Sequence, residues 1–281
     1  ERPDDLDARG GLGKLIKPIK LVPPDLDRFS KEEVKAHVKR ITEAAVQTFR
    51  NDVVQQILLG DVTTCRKIGT LNGNTSGLTS SGLERGALRF QSPTAQAAAA
   101  ITYLLQARLE DTTNQVNHWH NQFMAHTGLG TDGLLAIAKA KARADTYAEE
   151  GTADIGILSL DDHAALDQEV RSSPGGGGQA AVVYTAADVA SGKINTPILM
   201  HSGVQYFPNR WMTAARLGST EGIFIVNPMS MKYWVNANND FRVTKFADFL
   251  VTTGLDADLA FINLEVQFAC ENLLCNAAVS Q

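Results

Sequence analysis

Residues 92 to 123 read as one uninterrupted helix, and a helix of that length constrains the fold more than any other feature of the sequence. Ser92 supplies an N-cap and Pro93 occupies the first helical position. About 30 residues at about 1.5 Å each give a rod about 45 Å long. Because helices in globular domains average about three turns, we expect this one to span or brace a larger body. Its apolar side repeats at helical spacing, through Ile101, Leu104, Leu105, Leu109, Val116, Trp119 and Phe123.

The chain before this helix divides into three parts. Residues 1 to 29 contain several prolines, so they predict an extended arm without regular structure. The first quarter of the chain is locally basic, which is compatible with contact to an acidic neighbour or packaged DNA, although a solvated helix face is the simpler interpretation of the last three residues of the set. The set is Lys14, Lys17, Lys20, Arg28, Lys31, Lys35, Lys39 and Arg40. A capping box at Ser30 predicts a helix that ends at Gly60. Residues 61 to 91 predict a β-hairpin with strands at 62 to 71 and 83 to 91. The arm and hairpin hold few large apolar residues, so we expect both to settle against neighbouring subunits. The helix between them carries an apolar stripe of Val34, Val38, Ile41, Ala45, Phe49, Val53 and Ile57.

The chain after the long helix alternates short elements. Gly128 and Gly130 predict a break, after which Thr131 or Asp132 caps a helix that runs to Gly151. A strand at 155 to 160 follows, and then a helix capped by Asp161. Residues 174 to 178 predict a loop. Further strands are predicted at 180 to 185, 198 to 207, 222 to 226, 232 to 235 and 259 to 268, the last with Ile262, Leu264, Val266 and Phe268 on its buried face. The fold class is therefore α+β.

Composition excludes several classes of protein. The net charge is −5, whereas a sequence-specific nucleic-acid reader usually presents a basic surface. The three cysteines (Cys65, Cys270, Cys275) show no paired spacing, which predicts reduced thiols and assembly in a cytoplasm. The sequence predicts neither a membrane span nor a signal peptide. It begins without an initiator Met, which predicts either trimming or missing first residues.

Residues Gly128 to Gly133 match the dinucleotide-binding pattern G-x-G-x-x-G, and Asp154 lies about 20 residues on. That fingerprint needs a strand leading into the first glycine. Because a helix end is predicted there, the glycines are interpreted as a break between two helices.

The remaining reactive residues predict no catalytic, cofactor-binding or metal site. His118 and His120 lie two apart on a predicted helix and so point to different faces. His126, His163 and His201 are interpreted as surface or interface histidines. The triplet Asp161-Asp162-His163 lacks a marked nucleophile. The chain is therefore predicted not to be an enzyme.

This order of elements resembles the major capsid proteins of tailed bacteriophages, the Hong Kong 97-type coat fold. Besides the order itself, the resemblance rests on the helix at 134 to 140 followed by the segment from Ile155 to Leu166. The resemblance implies an arm, an extended loop, a long spine helix, an axial domain around the symmetry axis and a peripheral domain with antiparallel strands. The implied divisions are 1–29 (arm), 30–60 (N-terminal helix), 61–91 (extended loop), 92–130 (spine helix), 131–220 (axial domain) and 221–281 (returning strands).

The resemblance further implies a virion protein that assembles in the host cytoplasm into an icosahedral shell around double-stranded DNA. Its partners would be copies of itself, in hexamers and pentamers, with portal, scaffolding and decoration proteins as further candidates. DNA would be enclosed without sequence recognition, and removal of an N-terminal segment would account for the missing Met. The alternatives are an encapsulin-type nanocompartment shell, another virion part such as a tail-tube subunit, and an α/β nucleotide-binding enzyme that uses the turn from Gly128 to Gly133.

Overall fold

A computed structural model describes residues 13–21, 31–59, 70–71, 87–90, 92, 102–103, 106–107, 120–172, 199–212, 222–248 and 258–281. Its three α-helices in these ranges are α1 (Lys31–Leu59), α2 (Leu134–Thr146) and α3 (Leu160–Ser172). The strands are β1 (Gly13–Leu21), β2 (Thr102–Tyr103), β3 (Gln106–Ala107), β4 (Gln122–Ala125), β5 (Ile155–Leu158), β6 (Leu199–His201), β7 (Val204–Pro208), β8 (Gly222–Val226), β9 (Met231–Val235), β10 (Arg242–Val243), β11 (Ala247–Asp248), β12 (Asp258–Cys270) and β13 (Ala277–Ser280).

A six-stranded sheet forms the middle of the molecule, in the order β4-β13-β8-β5-β7-β6. The pairs β4–β13 and β5–β7 are parallel, and the other three are antiparallel. Both faces of the sheet are covered, so every residue of β8 is buried. Strand alternation divides β8 between two cores, with Ile223 and Ile225 on one side and Phe224 and Val226 on the other.

Helices α2 and α3 cover one face of this sheet. The buried face of α2 is built mainly from alanine, so the helix approaches the sheet closely, and Leu166 of α3 completes this core. Gly156 in β5 is required there, because a Cβ atom at this position would lie 2.5 Å from Cδ1 of the buried Tyr206. We call this set of contacts the helix-covered core.

A second sheet and α1 cover the other face. Strand β12 is 13 residues long. It pairs antiparallel with β1 along one edge and with β9, β10 and β11 along the other. Ile262, Leu264 and Val266 are fully buried, which confirms the predicted alternation, although Gln267 on the opposite side is also buried. We call the contacts between this sheet, α1 and the six-stranded sheet the α1 core.

Helix α1 confirms the predicted N-terminal helix and its apolar stripe. Burial increases toward its C-terminal half, where Phe49 and Val53 lie in the α1 core. Phe49 meets the ring of Phe241 edge-on, with centroids 5.6 Å apart. The stripe therefore serves to hold α1 against the antiparallel sheet.

The prediction that residues 1 to 29 lack regular structure is wrong for Gly13–Leu21. This segment pairs with β12 over its full length, and Ile19 and Leu21 are buried in the subunit's own core. Pro18 is tolerated because, among the described residues, β1 pairs on one side only. Pairing with a long strand outweighs the local preference that the prolines suggest.

The predicted hairpin at 61 to 91 lies mostly outside the described residues. Its two described ends, 70–71 and 87–90, are not strands. Leu71 and Leu88 are buried in the α1 core, and the Leu88 amide donates to the Leu71 carbonyl at 2.8 Å. The expectation that this segment settles only against a neighbour is therefore wrong for its ends.

The long helix predicted from residue 92 is also wrong at the described positions. Strands β2 and β3 form a tight antiparallel pair within it, and β4 occupies its end. In β4, Phe123 packs into the α1 core and Met124 into the helix-covered core. Phe123 and Met124 are compatible with a helix and also with a strand that lies between two cores. The parallel pairing of this segment with β13 makes it a strand.

Smaller differences concern turns and caps. One π-helical turn, Leu129–Gly133, precedes α2, which ends at Thr146 rather than at Gly151. Ser159, not Asp161, caps α3, since its Oγ accepts from the Asp162 amide at 2.9 Å. The strand predicted at 198 to 207 is two strands, β6 and β7, with positive φ at Ser202 and Gly203 between them. The predicted strand at 180 to 185 and the loop at 174 to 178 lie outside the described residues.

Candidate subunit interface

The turn from Gly128 to Gly133 does follow a strand, because β4 leads into it. The reason for setting aside a nucleotide site in the sequence was therefore wrong, but the geometry still disfavours one. The amides of Thr131, Asp132 and Gly133 all donate to the Gly128 carbonyl, at 3.0 to 3.3 Å. A phosphate cradle requires such amides to point at the ligand.

Two carboxylates make the same turn unfavourable for phosphate. Oδ1 of Asp132 accepts from the Thr127 amide at 2.8 Å and from its hydroxyl at 3.0 Å. The amide hydrogen bond is the main cause that lowers the pKa of Asp132, so this carboxylate is negative at neutral pH. A carboxylate oxygen of Glu169 lies near Gly130. Asp132 thus ties the turn to the end of β4 and repels anions.

The histidines are dispersed over the structure. His126 is buried rather than at the surface, His163 lies on α3, and His201 lies at the end of β6. Burial lowers the pKa of both His163 and His201. No group of three or more His, Cys, Asp or Glu residues is placed to hold a metal in the described part of the chain. His118 falls outside that part.

The acidic triplet before and at His163 serves the fold. Asp162 is buried, and its Oδ2 lies 3.4 Å from the Gly222 amide at the start of β8. Asp161 is exposed at the start of α3. Asp162 therefore joins α3 to the six-stranded sheet.

An apolar groove opens between α1 and the six-stranded sheet. Its volume is about 450 Å³. Val54 on α1 is 46% exposed at its rim, and Phe207 on β7 is 42% exposed. The groove is lined by Val54, Ile57, Leu58, Leu71, Ile155, Ile157, Phe207, Pro208, Asn209, Val226, Pro228, Met231 and Phe268. It is an unfilled extension of the α1 core, and it offers apolar surface that a protein partner can cover.

Sequence reasoning missed this groove because one rim residue lies off the apolar stripe of its helix and the others lie at the end of a strand. Val54 stands beside Val53, just off the apolar stripe of α1. Phe207 and Pro208 end β7 and are both exposed. Two adjacent valines on an amphipathic helix are the signal that one of them faces away from the core.

Further exposed apolar side chains lie on β9 and the turn before it. Tyr233 and Trp234 are 45% and 47% exposed, and Met229 is 60% exposed. Partial burial, together with the charge of Asp240, raises the pKa of Tyr233. Tyr233 and Trp234 are successive residues of β9 and so point to opposite faces of the strand. Each leaves apolar area that a partner can cover.

The outward face of β1 combines apolar and basic groups. Lys14 and Lys20 are exposed there, together with Ile16, which is 52% exposed. Lys17 points to the other face and pairs with Asp52 of α1. The lysines predicted to make the arm basic are thus divided between an open face and an internal ion pair.

Comparisons with solved structures identify the fold. The chain is similar to the subunit in the cyanophage A-1(L) capsid, with a TM-score of 0.57, 11% identity, and coverage of 96% of this chain and 77% of that chain. It is also similar to the capsid of Myoviridae phage XM1, with a TM-score of 0.50, 11% identity, and coverage of 96% and 73%. The chain therefore has a capsid-like fold of mixed helix and sheet, and the predicted resemblance to phage capsid proteins is confirmed.

A weaker likeness is to the encapsulin complex of Synechococcus elongatus PCC 7942, with a TM-score of 0.49, 10% identity, and coverage of 96% and 73%. That likeness is too weak to support a function. No protein-family model matches the sequence, and no curated protein matches it. In the described residues, no helix is both long enough and apolar enough to cross a bilayer.

Proposed function

We propose that this chain is the major capsid protein of a tailed bacteriophage and assembles into an icosahedral shell around double-stranded DNA. The observation that carries the proposal is the capsid-like fold, which extends over 96% of the chain in the comparison with cyanophage A-1(L). In this proposal the chain is a structural protein rather than an enzyme. It acts in the virion after assembly in the host cytoplasm, as hexamers and pentamers of itself.

The surface supports self-association. The apolar groove and the exposed side chains Tyr233 and Trp234 leave apolar area that the single chain does not bury. Each Å² of such area removed from water contributes roughly 25 cal/mol. In closed symmetry one contact surface is used by every copy, so a modest contact per subunit can stabilise a whole shell.

The domain roles require one change from the sequence prediction. We propose that α1, rather than residues 92 to 123, takes the role of the long spine helix. It is 29 residues long and packs on the antiparallel sheet of β1 and β12, as a helix of the peripheral domain would. The six-stranded sheet with α2 and α3 then corresponds to the axial domain. The last strand, β13, returns to that sheet from the peripheral side.

The test is the particle itself. The protein is purified and examined by size-exclusion chromatography with light scattering and by negative-stain electron microscopy. The proposal predicts hollow particles of uniform size. A monodisperse monomer at high protein concentration contradicts the shell function while leaving the fold intact.

The contents of particles from the native host distinguish the kind of shell. The proposal predicts double-stranded DNA that resists nuclease until the particle is opened. Particles that contain a protein cargo and no nucleic acid contradict the phage assignment and favour a nanocompartment.

A further inference from the structure

Two cysteines meet in the turn that joins the antiparallel sheet to the six-stranded sheet. Cys270 is the last residue of β12, and Cys275 lies just before β13. Both are buried, at 1% and 2% exposure, and both are free thiols. The two residues are five positions apart, so a bond between them would close a short ring around the turn.

The two sulfur atoms share the same partners. The thiols of Cys270 and Cys275 donate to one acceptor, the Asn272 carbonyl, at 3.2 and 3.1 Å. The side-chain nitrogen of Asn276 lies 3.3 Å from one sulfur and 3.6 Å from the other. Both sulfurs therefore lie within reach of the same oxygen and the same nitrogen, on one side of the turn that joins β12 to β13.

The surrounding network tolerates loss of both thiol hydrogens. The Asn272 carbonyl also accepts from the Asn276 side chain, at 2.8 Å. That nitrogen further contacts Ser230 Oγ at 3.0 Å. The Asn272 carbonyl therefore keeps a donor when the two thiols are converted to a disulfide, and it avoids the usual penalty for a buried acceptor that loses its donor.

A metal is a poorer explanation for the pair. Structural zinc takes four ligands, and no third His, Cys, Asp or Glu joins these two thiols among the described residues. The hydrogen-bond partners named above, Ser230 and Asn276, are hydroxyl and amide groups. Their chemistry fits hydrogen bonding to sulfur rather than coordination of a divalent cation.

We propose that Cys270 and Cys275 form a reversible disulfide that fixes the end of β12 to the start of β13. The oxidant is a low-molecular-weight disulfide. The thiolate of one cysteine attacks it, forms a mixed disulfide and releases one small thiol. The second cysteine attacks that mixed disulfide, the protein S–S bond forms, and a second small thiol leaves. Two electrons and two protons pass from the protein to the small molecule.

The closed fold slows this reaction. Burial raises the pKa of Cys275, and the thiolate is the attacking species. The pair therefore stays reduced in a reducing cytoplasm and oxidises when the turn opens under an oxidising solution. Once formed, the disulfide restricts the unfolded chain and is expected to raise the Tm by roughly 5 °C.

The experiment uses the full chain with Cys65→Ser, which leaves only this pair. The protein is incubated with oxidised glutathione at increasing temperatures below its Tm, and its intact mass is measured. We expect loss of two hydrogens without a glutathione adduct, a Cys270–Cys275 linked peptide after digestion, and a higher Tm that reductant reverses. The matched control, Cys275→Ala in the same background, is expected to give a glutathione adduct or no change in mass.

Two results would overturn the proposal. One is a stable glutathione adduct on the Cys65→Ser protein in place of hydrogen loss, since adjacent thiols resolve a mixed disulfide. The other is an unmodified protein at every temperature while the unfolded chain oxidises readily. Because mass and Tm are read on the soluble chain, neither result depends on whether the protein forms shells.

Discussion

The two faces of the six-stranded sheet are covered in different ways. On one face α2 and α3 bury a continuous set of side chains, and Tyr206, Ile137 and Leu166 are inaccessible to solvent or nearly so. On the other face α1 and β12 cover the sheet incompletely and leave the apolar groove open. Among the described residues, the helix-covered core is closed, whereas the α1 core leaves a groove with room for a further side chain.

The most damaging change to the helix-covered core is expected to be Gly156→Ala. Its new Cβ would lie 2.5 Å from Cδ1 of Tyr206, a buried ring that cannot move aside. Overpacking of this kind typically costs about 1–3 kcal/mol and occasionally more. We expect a loss of about 3 kcal/mol in the free energy of unfolding, measured by denaturant titration.

Gly130→Ala is the matched control for this substitution. Its nearest neighbour would be a flexible Glu169 oxygen at 3.6 Å, which is an ordinary contact. It should change the free energy of unfolding by less than about 0.5 kcal/mol. Equal losses in the two variants would contradict the close packing assigned to Gly156.

Val54→Asp in the groove is expected to impair assembly while leaving the stability of the single chain almost unchanged. Val54 is 46% exposed, so a carboxylate there remains hydrated in the single chain and should alter its stability by less than about 1 kcal/mol. In an assembled particle the same carboxylate would be buried without a partner. We expect particle yield to fall at least tenfold while the circular dichroism spectrum is unchanged.

Ala44→Asp on α1 serves as the comparison for the groove variant. Ala44 is exposed and is not among the groove residues. Particle yield from this variant should match the parent protein. If both variants lose assembly equally, the effect belongs to charge on α1 and not to the groove.

Asn121 tests how residues near 89 are held to the sheet. Its side chain accepts from the Arg89 amide at 2.9 Å and donates to the Arg89 carbonyl at 3.1 Å, in a fully buried position. Asn121→Ala should cost about 2 kcal/mol, because it leaves buried backbone groups without these bonds. Thermal unfolding measures the loss, and an unchanged Tm would show that water replaces the side chain.

The ion pair between Lys17 and Asp52 should matter least. These side chains are 28% and 49% exposed, and exposed pairs typically contribute less than about 1 kcal/mol. Lys17→Met keeps the apolar stem and should lower stability only slightly, with a smaller difference at high salt. Lys39→Met, which removes a more exposed pair with Glu43, should produce no measurable change.

The helix-covered face should lose stability as the pH falls below the usual histidine value. Burial lowers the pKa of His163 and of His201, so the unfolded chain binds more protons than the folded chain just below the usual value of 6.5. Stability is then present above pH 6.5 and falls as the pH drops toward the lowered folded pKa values. The variant His163→Gln should flatten this dependence, and an identical pH profile would contradict it.

The elements that sequence reasoning predicted correctly carry their pattern locally. An apolar spacing that fits burial on one face or on both faces is visible in α1, β5, β8, β9 and β12. Two of the failures, β1 and β4, concern segments whose pairing partner is far away in sequence, whereas β2 and β3 pair locally and were missed as well. Strand β1 is explained by β12 and β4 by β13, and neither partnership is visible in the local residues.

The role expected of the arm and the hairpin also changes. Both were expected to settle against neighbouring subunits, yet Ile19 and Leu88 lie in the α1 core of the same subunit. The proposed shell function therefore rests on the fold and on the open groove, and not on an arm that depends on its neighbours. The groove itself escaped prediction because it arises where α1 and the sheet fail to meet, which is a property of packing.

Electron cryo-microscopy of the assembled particle would show what covers the groove. We expect side chains of a second copy to lie against Val54 and Phe207 and to fill the groove, while the helix-covered core is the same in every copy. A particle in which the groove faces solvent, or a protein that forms no particle, would contradict this expectation.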